Sequence, residues 1–231
     1  MGLLDFIFPK YCVNCKRVGD YLCPNCFSYL SFDTKNICLI CGKPSYNGLT
    51  HPKCRGKYRI DGAFTGVVFN PVSKKLIYQL KYKPYLKDLG DFMTDLLYES
   101  LIQNEEFVRV TRSRYVFVPI PLSDKRFKKR GYNQAEIIAV NLSKKFGFLV
   151  VNGLERIRET KSQVGLNKEE RKENIAGAFR LKEQFKYHIK NKNVIIVDDV
   201  LTTGATLYEA GKIFKKGGVI QVFGVAFARE Q

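Results

Sequence analysis
No stretch of this sequence approaches the ~18 consecutive apolar residues that a bilayer-spanning helix needs. The N-terminal MGLLDFIFPKYC carries too short an apolar core for a secretory signal, so a cytoplasmic protein is expected. Histidine occurs only twice, and no general base is evident. Cysteine is missing beyond Cys54, and the seven up to and including it leave one thiol over, which argues against a disulfide framework. Low-complexity tracts are absent, as are internal repeats outside the cysteine pattern. Acidic residues are scarce, 22 against 39 Lys and Arg for a net charge of +17, so polyanionic partners are expected: pyrophosphate-bearing metabolites, nucleic acid or a membrane surface. A 45% hydrophobic content excludes disorder, and 231 residues suffice for one α/β domain plus a small appendage.

The cysteines point to metal. They form C-x-x-C pairs at Cys12/Cys15, Cys23/Cys26 and Cys38/Cys41, and His51-Pro-Lys-Cys54 repeats the gap with histidine in the first place. Eight ligands in four knuckles make two tetrahedral zinc sites, iron being the alternative for an all-thiolate set. Pairing in sequence order, Cys12/Cys15/Cys23/Cys26 and Cys38/Cys41/His51/Cys54, closes the shorter loops, while a crossed pairing stays open. Residues 11–56 show little apolar periodicity, so their core has to come from the metal. The composition changes near Tyr58, dividing the chain into a zinc-ribbon module, 1–57, and an α/β domain, 58–231.

The most informative run is NVIIVDDVLTTGAT, residues 193–206. Its β-branched start, 194–197, reads as a buried parallel strand. Asp198 and Asp199 follow at the carboxyl end, where open α/β sheets bind ligands. Thr202, Thr203, Gly204, Ala205 and Thr206 then make a turn of small residues and hydroxyls ahead of a helix, a cradle for phosphate. An acidic pair beside such a turn suits a ribose 5-phosphate, with hydroxyls on the carboxylates and the phosphate on the turn. The run resembles the phosphoribosyl-pyrophosphate loop of type I phosphoribosyltransferases.

Elsewhere the pattern alternates. Strands are expected at 63–69, 115–120 and 219–228, and helices at 72–80, 86–101, 134–145 and 207–216, with a break at Lys83-Pro84. Lys81 reads as a solvated helix end. Arg126, Lys128, Lys129, Arg130 and Gly131 lie in a basic loop just after a core strand, placed to meet pyrophosphate or nucleic acid. Residues 154–179 suggest a polar loop or short helix over the site, a candidate flap. This order indicates a doubly wound, mostly parallel sheet.

Taken together, VPIPL, KRFKKRGYNQAE, RIRETKSQ, RKENIAGAF and VIIVDDVLTTGATL behind cysteine knuckles resemble the ComF (ComFC-type) family, phosphoribosyltransferase-like proteins associated with natural competence. The resemblance implies a type I phosphoribosyltransferase fold, phosphoribosyl pyrophosphate bound with Mg²⁺, and a role in handling incoming single-stranded DNA beside a DNA-uptake helicase or recombination mediator. Pentosyl transfer to an unspecified acceptor would be the reaction. A non-catalytic sensor of phosphoribosyl pyrophosphate, or a single-stranded DNA adaptor, is the alternative. His51 stands where the family more often has cysteine.

Overall fold
The computed structural model describes residues 9–82, 86–160, 165 and 167–230. In chain order a short helix α1 (Pro24–Phe27) is followed by β1 (Gly62–Val68), α2 (Pro71–Lys81), α3 (Leu89–Gln103) and α4 (Glu105–Val110). Next come β2 (Tyr115–Pro119), α5 (Asp124–Arg130), α6 (Gln134–Phe146), β3 (Leu149–Val150), β4 (Leu154–Arg156) and α7 (Lys168–Ile175). The chain ends with β5 (Phe179–Leu181), α8 (Lys186–Ile189), β6 (Asn193–Leu201), α9 (Ala205–Lys216) and β7 (Gln221–Arg229).

The main sheet has the order β1-β7-β6-β2-β3 and every pairing in it is parallel. A parallel sheet must be covered on both faces, and β6 meets that condition with apolar residues on each side. Ile195 and Val197 join one core with α2, α3 and α6, through Leu80, Met93, Leu97, Ile138 and Leu142. Val194 and Ile196 join a second with α9 and the antiparallel β4–β5 pair, through Leu154, Phe179, Leu207 and Phe214. Where helices start, the signals are local: Asn70 caps α2 through the Val72 and Ser73 amides, with Pro71 at the first helical position.

The cysteine-rich segment lies along the β1 edge. The Val68 amide donates to the Ser31 carbonyl at 2.8 Å, and Leu49 bridges Gly62 antiparallel. Gly48 is required at that crossing, since its φ is +80° and a Cβ would lie 2.0 Å from the Ala63 carbonyl oxygen. Cys12, Val13, Leu22 and Cys26 pack into the core on the α2 side, and the Tyr21 hydroxyl donates to Asp88 beside α3. Leu39 packs into the core on the α9 side. The segment therefore reaches both faces of the sheet.

Several boundaries differ from expectation. β6 continues four residues past Val197, because its pairing with β7 runs on to Leu201 opposite Arg229 while β2 stops at Pro119 opposite Val197. The acidic doublet thus lies within the strand. The basic loop is a helix, α5, stopped by Gly131 at φ +78°. Residues 154–179, expected as a polar loop or short helix, hold the short helix α7 together with β4 and the start of β5. Lys83-Pro84 lies outside the described residues. Ile196 is fully buried, and Ile196→Ala is expected to cost about 2–5 kcal/mol, read as a lower denaturation midpoint at unchanged m-value; a loss under ~1 kcal/mol contradicts this packing.

Candidate functional site
The chain reverses its winding between β2 and β6. The helix packed after β2, α6, lies on one face, and the helix after β6, α9, lies on the other. Such a switch opens a crevice at the carboxyl ends of the two strands, the usual ligand position in open α/β sheets. Its two rims are α5 and the turn 202–204.

Successive side chains of a strand face opposite ways, so the doublet divides. Asp199 faces the α2 side, where it forms an ion pair with Lys81. Burial pushes its carboxyl up, but the Lys81 ammonium outweighs that and holds it below the ordinary carboxylate value. Asp198 is half-buried on the other side, and its Oδ1 accepts the Asp199 amide at 2.9 Å. Burial, and then the neighbouring Asp199 charge, push the Asp198 carboxyl up to about 8. Two adjacent acids thus differ in charge near neutrality. Lys81, which the sequence presents as a solvated helix end, is instead the counter-ion of the doublet.

In the turn, Thr202, Thr203 and Thr206 are half-exposed while Gly204 and Ala205 are buried. Gly204 has φ +77° and is the N-cap of α9. The Ala205 amide donates to Thr203 Oγ1 at 3.4 Å. These residues bring amides and hydroxyls to the positive end of a 12-residue helix.

The basic run divides as well. Arg126 and Arg130, four apart on α5, are half-buried, while Lys128, Lys129 and Gly131 are exposed. Arg130 donates to Gln134 Oε1 at 2.9 Å and lies over the Tyr82 ring at 5.4 Å. Its charge also helps to lower Asp199. Arg126 donates to the Thr160 carbonyl at 3.1 Å, and Arg156 donates to Thr160 Oγ1 at 2.7 Å and to the Pro121 carbonyl at 3.3 Å. Burial first, then Arg126, pull Arg156 down to about 10, with Asp198 opposing. The Arg156 Nε is buried with no partner among the described residues. Within the expected flap, Arg158 donates to the Asn174 and Ala176 carbonyls at the end of α7; Lys161, Ser162 and Gln163 lie outside the described residues.

The cysteines form two groups, Cys12/Cys15/Cys23/Cys26 and Cys38/Cys41/His51/Cys54, with ligand atoms within 4.8 Å of one another in each. The pairing follows sequence order, so the crossed alternative is excluded. Tetrahedral zinc with Zn–S near 2.3 Å spaces sulfurs by about 3.8 Å, and Cys15 and Cys23 lie 3.6 Å apart. His51 also fits. Its Nε2 is 2.9 Å from the Pro44 carbonyl and donates there, which leaves the Nδ1 lone pair toward Cys41 Sγ at 3.4 Å. With three thiolates and an imidazole or four thiolates, both are closed scaffold sites.

Two parts of the chain match known domain families. Residues 3–55 match the model of the double zinc ribbon domain, and residues 128–229 match that of the phosphoribosyl transferase domain. Competence protein ComFC of Bacillus subtilis is 27% identical over 225 residues, covering 89% of this chain and 83% of that protein. Competence protein F of Haemophilus influenzae is 40% identical over 117 residues, about half of each chain (48% and 49%). The DNA utilization protein YhgH of Escherichia coli is 27% identical over 191 residues, 81% of this chain and 82% of that one. Over most of its length the chain is similar to these competence and DNA utilization proteins. Its two clusters are the zinc sites of the double ribbon, and its five-stranded sheet is the phosphoribosyltransferase fold. No helix among the described residues is long and apolar enough to cross a membrane.

Sequence reasoning missed Lys81, Tyr82 and Arg156 as residues of the site. Lys81 and Tyr82 lie in no motif and Arg156 opens the RIRETKSQ segment without a role read for it, and only the packing of α2 and β4 on β6 brings them to the doublet. The raised Asp198 carboxyl makes a test. A carboxyl that keeps its proton in the fold but loses it on unfolding stabilises the folded state at low pH, and that advantage is lost as pH rises from about 4 through 8. Asp198→Asn is therefore expected to gain stability over wild type progressively between pH 5 and 8 and to level off above that. Denaturation midpoints across the range check it, and a constant difference contradicts it.

Proposed function
We propose that this protein binds phosphoribosyl pyrophosphate and acts, as a phosphoribosyltransferase-like protein of the cytoplasm, in natural competence or DNA uptake. The observation that carries the reading is the crevice between β2 and β6, with acids at its base, a threonine turn at a helix N-terminus on one rim and two arginines of α5 on the other. In this reading Thr202, Thr203, Gly204, Ala205 and Thr206 hold the 5-phosphate. Asp198 and Asp199 take the ribose hydroxyls, and Lys81 balances the charge left on Asp199. Arg126 and Arg130, joined by Arg156, meet the pyrophosphate, while Lys128, Lys129 and Gly131 stand further out. Mg²⁺ would accompany the pyrophosphate and neutralise part of its charge. The division at residue 57 keeps zinc scaffold and sugar-phosphate site in separate units of sequence.

Transfer, where an acceptor is present, forms a bond from a nitrogen nucleophile to the anomeric carbon. The carbon–oxygen bond to pyrophosphate breaks, the electron pair leaves with that oxygen, and the nucleophile's proton passes to water. The protein's part is positioning and charge stabilisation. The relatives' names, competence and DNA utilization proteins, support the cellular setting. Calorimetric titration with phosphoribosyl pyrophosphate and Mg²⁺ is expected to give saturable binding that Asp198→Asn/Asp199→Asn abolishes. Equal affinity in both proteins sinks the assignment. A screen of nucleobases for pyrophosphate release separates an enzyme from a sensor.

A second reading, single-stranded nucleic acid, has its own observation. A groove of about 630 Å³ between the first metal loop and α2 is lined by Lys16, Lys74, Lys75, Asn14, Phe69 and Tyr78, among others, with no carboxylate in its lining. Tyr78 and Tyr82 pair with ring centroids 4.5 Å apart, and Arg130 covers Tyr82. In the sequence no aromatic platform interleaved with basic residues is obvious. The helical spacing of 78 and 82 creates one that leads from the groove toward the crevice. Tyr78→Ala is expected to weaken oligothymidylate binding about fivefold or more, given ~1–3 kcal/mol per stacked base. Lys74→Ala/Lys75→Ala is expected to flatten the logarithmic salt dependence by roughly 0.7 for each phosphate that is no longer neutralised. Unchanged slopes place the nucleic acid elsewhere.

A further inference from the structure
The second metal loop touches the phosphate turn. Leu39 lies between the ligands Cys38 and Cys41 and is buried against Gly204. A Cβ at Gly204 would stand 2.7, 3.4 and 3.5 Å from Leu39 Cδ2, Cγ and Cδ1, so the whole branched head of the leucine covers that glycine. Gly204 is the positive-φ residue that turns β6 into α9. Seven residues on, two helical turns along the same face, Gly211 is covered in the same way: a Cβ there would stand 3.1 Å from Ile60 Cβ. Ile60 is fastened to the metal loop, since Thr50, the neighbour of His51, donates from Oγ1 to the Ile60 carbonyl at 2.7 Å and from its amide to the Asp61 carbonyl at 2.8 Å. The helix that carries the phosphate turn is thus gripped at two glycines by one metal-organised segment.

We infer that Leu39 is a positioning residue for the phosphate turn, and that zinc in the Cys38/Cys41/His51/Cys54 cluster and a phosphoribosyl ligand on residues 202–206 strengthen each other's binding. The inference rests on the proposed reading of the crevice. Zinc fixes the backbone on both sides of Leu39, and a loop with so few apolar residues has little else to hold it. With zinc bound, Leu39 packs on Gly204 and the turn keeps one shape. Without it, part of any ligand's binding free energy goes into ordering the turn. Coupling of this kind is reciprocal, so a bound ligand slows zinc loss.

The test uses the full chain. Leu39→Ala is expected to retain two zinc ions, to bind phosphoribosyl pyrophosphate with Mg²⁺ about tenfold more weakly, and to exchange the amide hydrogens of residues 203–207 faster. Leu39→Met is expected to restore both, and Leu39→Val, a milder truncation, to fall between. In wild type, saturating ligand is expected to slow zinc transfer to a chromogenic chelator severalfold, and Leu39→Ala to remove that slowing. Normal affinity and normal exchange in zinc-loaded Leu39→Ala overturn the role of Leu39. Zinc loss that ignores the ligand overturns the coupling. Should wild type bind no phosphoribosyl pyrophosphate, the reading of the crevice fails and the coupling with it, while exchange at 203–207 still decides whether Leu39 holds the turn.

Discussion
A central strand covered on both faces has no room for charge, yet β6 carries two acids near its carboxyl end. The structure meets that conflict by the alternation of the strand itself. Asp199 is sent to the α2 side, where Lys81 neutralises it, and Asp198 to the β4 side, where the Arg156 guanidinium, itself beside Arg126, stands near a carboxyl that keeps its proton. Removing one partner of a buried pair strands the other charge, which costs more than the pair itself contributes. Placement of α2, α5 and β4 around the carboxyl end of the sheet follows from this requirement as much as from apolar packing. The same placement leaves cations of two kinds lining one crevice.

Much of the architecture was legible because its signals are local. The run 194–197 is β-branched; residues 72–80 repeat apolar residues at helical spacing; seven cysteines and His51 in four knuckles call for two metal sites, though not for one pairing of them. The doublet and the turn were legible for the same reason, since their chemistry is contiguous in sequence. What stayed hidden depends on pairing or on distant neighbours. The reach of β6 to Leu201 is set by β7, whose register continues after β2 has ended. The helicity of residues 124–130 was masked by their charge, which reads as a solvated loop, although Arg126 and Arg130 share a helical face. Lys81 carried no signal, because a lysine at a helix end is ordinary until the strand beneath it presents a carboxylate.

The zinc ribbon is more than a tag on the fold. A module with so few apolar residues cannot hold itself together without metal, but once organised it inserts Cys12, Val13 and Leu22 into one core and Leu39 into the other. Its ligands are scaffolding, and its packing reaches the turn of the candidate site through a single leucine. Structural metal and ligand chemistry are thereby connected without any shared ligand atom.

The edge pairing at β1 bears on how the chain can be cut. Backbone groups of β1 are occupied on the outer side by Ser31 and Leu49, so trimming the molecule to its phosphoribosyltransferase half would bare a row of unpaired amides and carbonyls beside an apolar surface. Bare edges of that sort recruit strands from other molecules. A truncated product would tend to self-associate into precipitate, and stripping zinc during purification would invite the same fate in the intact chain.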